Sequence, residues 1–206
     1  MPLWLAEAAL VLASQSKVRR ALLEAAGVPV EARPADLDER AIEQSVKGGP
    51  SDVALTLARE KARTVAAMSG SGISWPGIVV GCDQTLALGE RRFSKPADRA
   101  AARDQLRLMR GKPHELHAAV AVCRNGGLTF GHVAVARLTM RDFSDDFLEV
   151  YLDAAGANVT SSVGAYQLER IGIHLFEKIE GDHFTILGLP LLPLLEHLRS
   201  EGLLKQ

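Results

Sequence analysis

A strand-like run, Ile78-Val79-Val80-Gly81-Cys82, ends in Asp83-Gln84, and Ser94-Lys95-Pro96 follows about one turn-and-return later. This places a carboxylate at the expected carboxyl end of a buried strand, with a lysine on the next loop. Open α/β sheets carry catalytic groups in the crevice beyond such strand ends. A carboxylate there could activate water or hold a metal ion, while the ammonium neutralises phosphate charge. Asp-Gln after a strand also makes ordinary turns, so the pair needs matching parts from other segments.

One such part is Ser14-Gln15-Ser16-Lys17-Val18-Arg19-Arg20, which joins a strand to a helix start. Free backbone N–H groups and the positive dipole end favour an anion there. Two hydroxyls add donors, and an arginine on the first turn can grip phosphate with two prongs. Taken alone, the segment also reads as a capped helix with solvated basic residues. It lacks the glycines of a P-loop. Lys61, in Ala58-Arg59-Glu60-Lys61-Ala62-Arg63, fits an exposed helix face with ordinary ion pairs. Asp38-Glu39 could be a solvated loop, or could offer carboxylate oxygens to a hard divalent cation.

Other chemistries find little support. His114 and His117 are three apart in an expected strand, which puts them on opposite faces and argues against a zinc pair. There is no Gly-x-Ser-x-Gly elbow and no cysteine with a base nearby in sequence, which disfavours covalent nucleophilic catalysis. Cys82 and Cys123 both lie in apolar runs without a metal or redox spacing, which fits a reducing cytoplasm.

The elements that must position these residues alternate. Leu10 to Ala13 reads as a buried strand, Lys17 to Ala26 as a helix, and Val28 to Arg33 as a second strand before the acidic loop Asp36-Leu37-Asp38-Glu39. Ser51 is expected to cap a helix with Val53, Leu57 and Val65 on its apolar face. Ser69 to Ser74 reads as a flexible linker. A helix from about Asp98 to Arg110 follows the Lys95 loop. Leu116 to Val122 and Val133 to Met140 read as strands flanking a turn at Asn125-Gly126-Gly127. Ser144 caps a helix to about Leu152, and a loop spans Gly156 to Gly172. His174 to Ile179 reads as a strand, and Pro190 opens a last helix at its first position. The pattern implies an α/β fold with a mixed sheet.

The 206 residues suffice for a single domain, 1–206, or one domain with two lobes. An apolar fraction of 47% and 24% charged residues suit a globular protein. A net charge of -1 argues against a protein that coats nucleic acid. The apolar start has no basic leader before Glu7, so no signal peptide is expected, and no apolar run is long enough to span a bilayer.

Several segments, read together and in order, resemble the Maf family of nucleoside triphosphate pyrophosphatases. They are Leu12-Ala13-Ser14-x-Ser16 with Arg19, Asp38-Glu39, Lys61-Ala62, Gly81-x-Asp83-Gln84, Lys95-Pro96, Gly111-x-x-His114-Glu115 and Gly164-Ala165-Tyr166. The series ends with Leu175-Phe176-Glu177-x-Ile179-Glu180-Gly181-Asp182 and Gly188-Leu189-Pro190-Leu191. The resemblance implies an elongated, two-lobed mixed-sheet fold with flanking helices and a central cleft. It implies a homodimer, a divalent cation (magnesium or manganese), and hydrolysis of a nucleoside triphosphate to monophosphate and pyrophosphate. By position, Asp83 resembles the general base or a metal ligand. Ser14, Arg19, Lys61 and Lys95 resemble the phosphate-binding set, and Glu39 a metal or site carboxylate.

Gln84 and Glu169 resemble the branch that prefers 7-methyl-GTP. Val18 stands where that branch usually has tryptophan, Lys17 replaces a usual proline, and Arg170 a usual glycine. A different class of function, a nucleotide-binding regulator of septum formation, would need the binding groups without a competent base.

Overall fold

The computed structural model describes residues 2–68 and 77–206. The expected linker from Ser69 to Ser74 lies outside the described residues. Six strands form the sheet order β2-β1-β3-β5-β6-β7, and the seventh, β4, also pairs with β3. They are β1 (Leu10–Ala13), β2 (Val30–Ala32), β3 (Ile78–Leu88), β4 (Arg91–Phe93), β5 (Pro113–Arg124), β6 (Gly127–Met140) and β7 (Phe176–Glu180). β1 is parallel to β2 and β3, and the other pairings are antiparallel. The fold is α/β with a mixed sheet and flanking helices, as the alternation of elements implies.

Seven helices accompany the sheet among the described residues. They are α1 (Lys17–Ala25), α2 (Glu39–Ser45), α3 (Pro50–Ala67), α4 (Arg99–Met109), α5 (Asp145–Ala155), α6 (His183–Ile186) and α7 (Leu191–Ser200). The caps explain most starts. Ser16, Asp38, Asp98, Ser144 and Asp182 each accept a hydrogen bond from a first-turn N–H of the following helix.

Several expectations need correcting. The acidic loop ends in a helix, because Asp38 caps α2 and Glu39 is its first residue. α3 starts at Pro50 and not after Ser51: Gly49 is the cap, and its N–H donates to the Asp52 carboxylate at 2.9 Å. Pro190 caps α7 one residue before its first turn. The segment from Gly156 to Leu175 contains three short 3₁₀ turns, so β7 begins at Phe176 and not at His174. The β5–β6 hairpin is tighter than expected. Asn125 and Gly126, at φ 50 and 82, form the two-residue left-handed turn that matches strand twist.

The strand period sorts the core. Leu10, Leu12, Ile78, Val80, Cys82, Val120 and Val122 share one face with Leu23 of α1 and with Leu191, Leu194 and Leu198 of α7. Further along the same face, Leu86, Leu116 and Leu138 pack with Leu106 of α4 and Leu148 of α5. These two cores make two lobes, and half-buried Gln84 lies between Cys82 and Leu86 on β3. The opposite face receives α3. Ala54 and Ala58 meet Ala119 and Ala121, and Ala62 meets Val11, Ala13 and Val79.

Small side chains let α3 lie unusually near the sheet. A Cβ at Gly81 would stand 2.0 Å from the Ala58 carbonyl oxygen and 2.7 Å from the Ala62 nitrogen. Glycine is required there because helix backbone touches strand backbone.

Candidate active site

Asp83 is not at the end of its strand. β3 continues for five residues to Leu88, with Asp83 opposite Ala119 and Thr85 opposite His117 of β5. The strand that does end is β1, whose last residue, Ala13, pairs with Gly81. On that same edge of β3, β4 begins pairing only at Leu86, opposite Phe93. Cys82 to Thr85 therefore lack a strand neighbour on one side, and a four-residue window opens in the sheet.

Two chain segments lead into this window from opposite ends. β1 runs parallel to β3, so Ser14 enters after Ala13 alongside Cys82. β4 runs antiparallel, so after Phe93 the chain heads back towards Thr85 and carries Ser94 and Lys95 with it. Lys95 is exposed and makes no hydrogen bond or ion pair among the described residues.

Along β3 the side chains alternate. Gly81 and Asp83 face α3, and the helix held against Gly81 delivers Lys61 to Asp83 two residues on. The Lys61 Nζ donates to Asp83 Oδ1 at 2.6 Å and lies 2.9 Å from Glu39 Oε1. Asp83 and Lys61 are only 8% and 9% exposed. Burial alone would lower the lysine's pKa, but the charges and hydrogen bonds of Asp83 and Glu39 outweigh it and hold it above the usual value. Lys61 is thus a buried cation shared by two carboxylates, not the solvated helix residue its local sequence suggests.

Gln84 faces the other way, and the period of two separates it from Asp83. Its Nε2 donates to the carbonyl oxygens of Thr185 and Ile186, at 3.1 and 3.0 Å. Both amide hydrogens are engaged, so Oε1 is the group it has left to offer, as an acceptor. Arg19 grips the same region. Its Nε donates to the Gly188 carbonyl at 2.8 Å, and its Nη1 donates to Cys82 O at 3.0 Å and to Ser14 Oγ at 3.3 Å. The Nη2 donors remain. Segment 185–188 is therefore tied to the window by two side chains that sequence reasoning assigned to substrate.

The expected set converges in part. Ser14, Arg19, Lys61, Asp83, Glu39 and Gln84 surround the window on its two faces. Val18, half-buried, is on the first turn of α1, and Glu169 is exposed between Leu168 and Arg170; neither is hydrogen-bonded to this group among the described residues. Burial pushes the Cys82 thiol up to about 11, which suits an inert packing residue. His114 and His117 face opposite sides, towards Tyr166 and Ser51.

One acidic residue was missed. Glu43 lies one turn beyond Glu39 on α2, and burial together with the Asp83 and Glu39 charges raises its carboxyl pKa against the pull of Arg92 and Lys61. The signal was present in the four-residue spacing, but only once α2 is known to be helical.

No group of three or more histidine, cysteine, aspartate or glutamate residues forms a metal cluster among the described residues. Asp83 and Glu39 nonetheless each engage one carboxylate oxygen with Lys61. Their second oxygens suit a magnesium ion, which takes one or two carboxylates and completes its shell with water and substrate phosphates. No helix among the described residues is long and apolar enough to cross a membrane.

Comparison with known proteins identifies the family. The family model described as "Maf-like protein" matches residues 9–201. A nucleoside triphosphate pyrophosphatase of Rhodopseudomonas palustris (strain ATCC BAA-98 / CGA009) is 56% identical over 206 residues, covering 99% of both chains. A 7-methyl-GTP pyrophosphatase of Rhizobium meliloti (strain 1021) is 48% identical over 196 residues, 94% of this chain and 96% of that one. A HAM1 protein structure from Coxiella burnetii shares the fold, with a TM-score of 0.50, 14% identity, and coverage of 93% and 98%. The ordered motifs, the window they surround and these relatives lead to one conclusion: the chain belongs to the Maf family.

Proposed function

We propose that the protein hydrolyses a nucleoside triphosphate to the monophosphate and pyrophosphate. The observation that carries this reading is the four-residue window in the sheet, with the buried Asp83–Lys61 pair and the exposed Glu39 on one face and Ser14 and Arg19 on the other. The names of the relatives support it.

A triphosphate brings about four negative charges, offset by the fixed donors of Arg19 and Lys61 and by Lys95, unpaired among the described residues. Ser14 Oγ and the Arg19 Nη2 group bind phosphate oxygens where β1 ends. Asp83 accepts a proton from water as the water oxygen bonds to the α-phosphorus. The bond from that phosphorus to the bridging oxygen breaks, and pyrophosphate leaves with the electron pair. Glu39 would hold a magnesium or manganese ion, which when bound would offset phosphate charge; the alternative role for Asp83 is as a second ligand to that ion in place of the base. The low exposure of Asp83 strengthens each of these interactions.

The base preference follows from what remains to be satisfied. Gln84 offers Oε1, and the Glu169 carboxylate accepts hydrogen bonds without donating any. Both suit a base edge rich in N–H donors, as in guanine, and the Glu169 carboxylate favours the cationic ring of a 7-methylguanine. We therefore place 7-methyl-GTP among the preferred substrates. The free, buried cysteines suit a reducing cytoplasm, and a homodimer is the assembly expected of the family resemblance.

Hydrolysis in ¹⁸O-labelled water tests the reaction. Label in the monophosphate is expected. Label in pyrophosphate would place the attack elsewhere, and no pyrophosphate release across a panel of canonical and 7-methylated triphosphates would overturn the reading.

A further inference from the structure

Arg92 has no role in the site described so far, yet three observations place it there. First, it pairs with Ala87 of β3, and paired residues share a sheet face. Ala87 is four residues from Asp83, so the period of two puts Arg92 on the Asp83 side, the side that carries Lys61 and α2. Its neighbours Arg91 and Phe93 point to the other face, where the Arg91 guanidinium lies 5.3 Å from the Phe93 ring centroid.

Second, Arg92 acts electrostatically on Glu43, which also responds to Asp83, Glu39 and Lys61. Arg92 and Glu43 are therefore near enough for one charge to act on the other, in keeping with the sheet face that the strand register assigns to Arg92. Third, Arg92 is exposed and makes no hydrogen bond or ion pair among the described residues. A cation placed so near a charged crevice, with five N–H donors unengaged, is equipped to take a dianionic group in a two-pronged contact.

Its position along the sheet narrows what it binds. Ser14 and Arg19 hold the end of the window at Cys82, whereas Arg92 and Lys95 flank the end at Thr85 and Leu86. We propose that Arg92 is a further substrate-binding residue, a ligand for the terminal phosphates that depart as pyrophosphate. The proposal rests on the triphosphate hydrolysis inferred above and adds to it a further cation for the leaving pyrophosphate, on the Asp83 side of β3.

The test compares Arg92→Ala, Arg92→Lys and Arg91→Ala. Arg91→Ala removes the same charge from the same strand but from the opposite face. Calorimetric titration of each with inorganic pyrophosphate in the presence of magnesium reads binding without turnover. Arg92→Ala is expected to weaken pyrophosphate binding about 10- to 100-fold, the loss of a charge-assisted pair of bonds, and to raise the KM for triphosphate by a similar factor. Arg92→Lys should recover part of the loss, and Arg91→Ala should match the parent protein. Equal pyrophosphate affinity in Arg92→Ala and Arg91→Ala would overturn the proposal, even in an active enzyme. Pyrophosphate binding that depends on Arg92 in a protein with no turnover would uphold it while sinking the hydrolysis reading.

Discussion

Lys61 and Asp83 form a buried ion pair, Nζ to Oδ1 at 2.6 Å, between a helix and a strand that touch backbone to backbone at Gly81. The pair links packing to chemistry, because whatever shifts α3 also shifts the cation beside the proposed base.

Asp83→Asn should lower kcat about 10²–10⁴-fold through loss of the proton acceptor. It should also destabilise the fold, though by less than the about 3–5 kcal/mol typical of breaking a buried pair, since Lys61 keeps Glu39. Turnover and thermal unfolding of the same preparation check both. A kcat close to that of the parent protein would remove Asp83 from the reaction.

Gly81→Ala should act at a distance. The added Cβ meets main-chain atoms of Ala58 and Ala62, which cannot rotate away, so α3 must move. Overpacking of this kind costs about 1–3 kcal/mol or more. Turnover should fall as well, because Lys61 moves with the helix. Unchanged unfolding temperature would show that the helix is not held at this point.

Gln84→Glu replaces two donors with a carboxylate facing the carbonyls of Thr185 and Ile186. Repulsion should loosen segment 185–188 and with it the Gly188 carbonyl that holds Arg19. The expected readout is a raised KM together with lower stability. A change in base preference with stability intact would mean that Gln84 is not tied as described.

His114 makes stability depend on pH. Burial lowers its imidazole pKa from 6.5 to about 4, and the ring shares a hydrogen bond with Tyr166 Oη at 2.8 Å. Between those values the unfolded chain binds the proton and the folded chain does not. Stability should therefore fall as pH drops from 6.5 towards 4, by up to about 3 kcal/mol, and be insensitive to this group above 6.5. His114→Phe should flatten that part of the pH profile, measured by denaturant unfolding. A slope equal to the parent's would assign the acid sensitivity to other groups.

Much of this architecture was legible because burial writes a period into the chain. β1, α1, α4 and α5 were placed within a few residues by apolar stripes and caps. α2 was not, because Glu39–Ser45 buries no residue and offers no stripe; Asp38 was its one signal. The end of β3 was misplaced because Asp83 and Gln84 look like turn residues, while pairing with β5 keeps them in the ladder. The site was legible as residues but not as geometry. Lys61 reads as solvated until Gly81 brings α3 down. Arg19 reads as free until Gly188 lies beneath it. Arg92 and Glu43 carry no motif, and only strand register and helical spacing put them on the Asp83 side of β3.

The window also has a mechanical meaning. Where β1 has stopped and β4 has not begun, β5 is the one strand among the described residues that pairs with β3, and α3, packed against Gly81, braces the ribbon from the side. The carboxylate proposed to aim a water at phosphorus is thereby fixed by sheet and helix together, while Ser14 and Lys95 stand on opposite banks of the window.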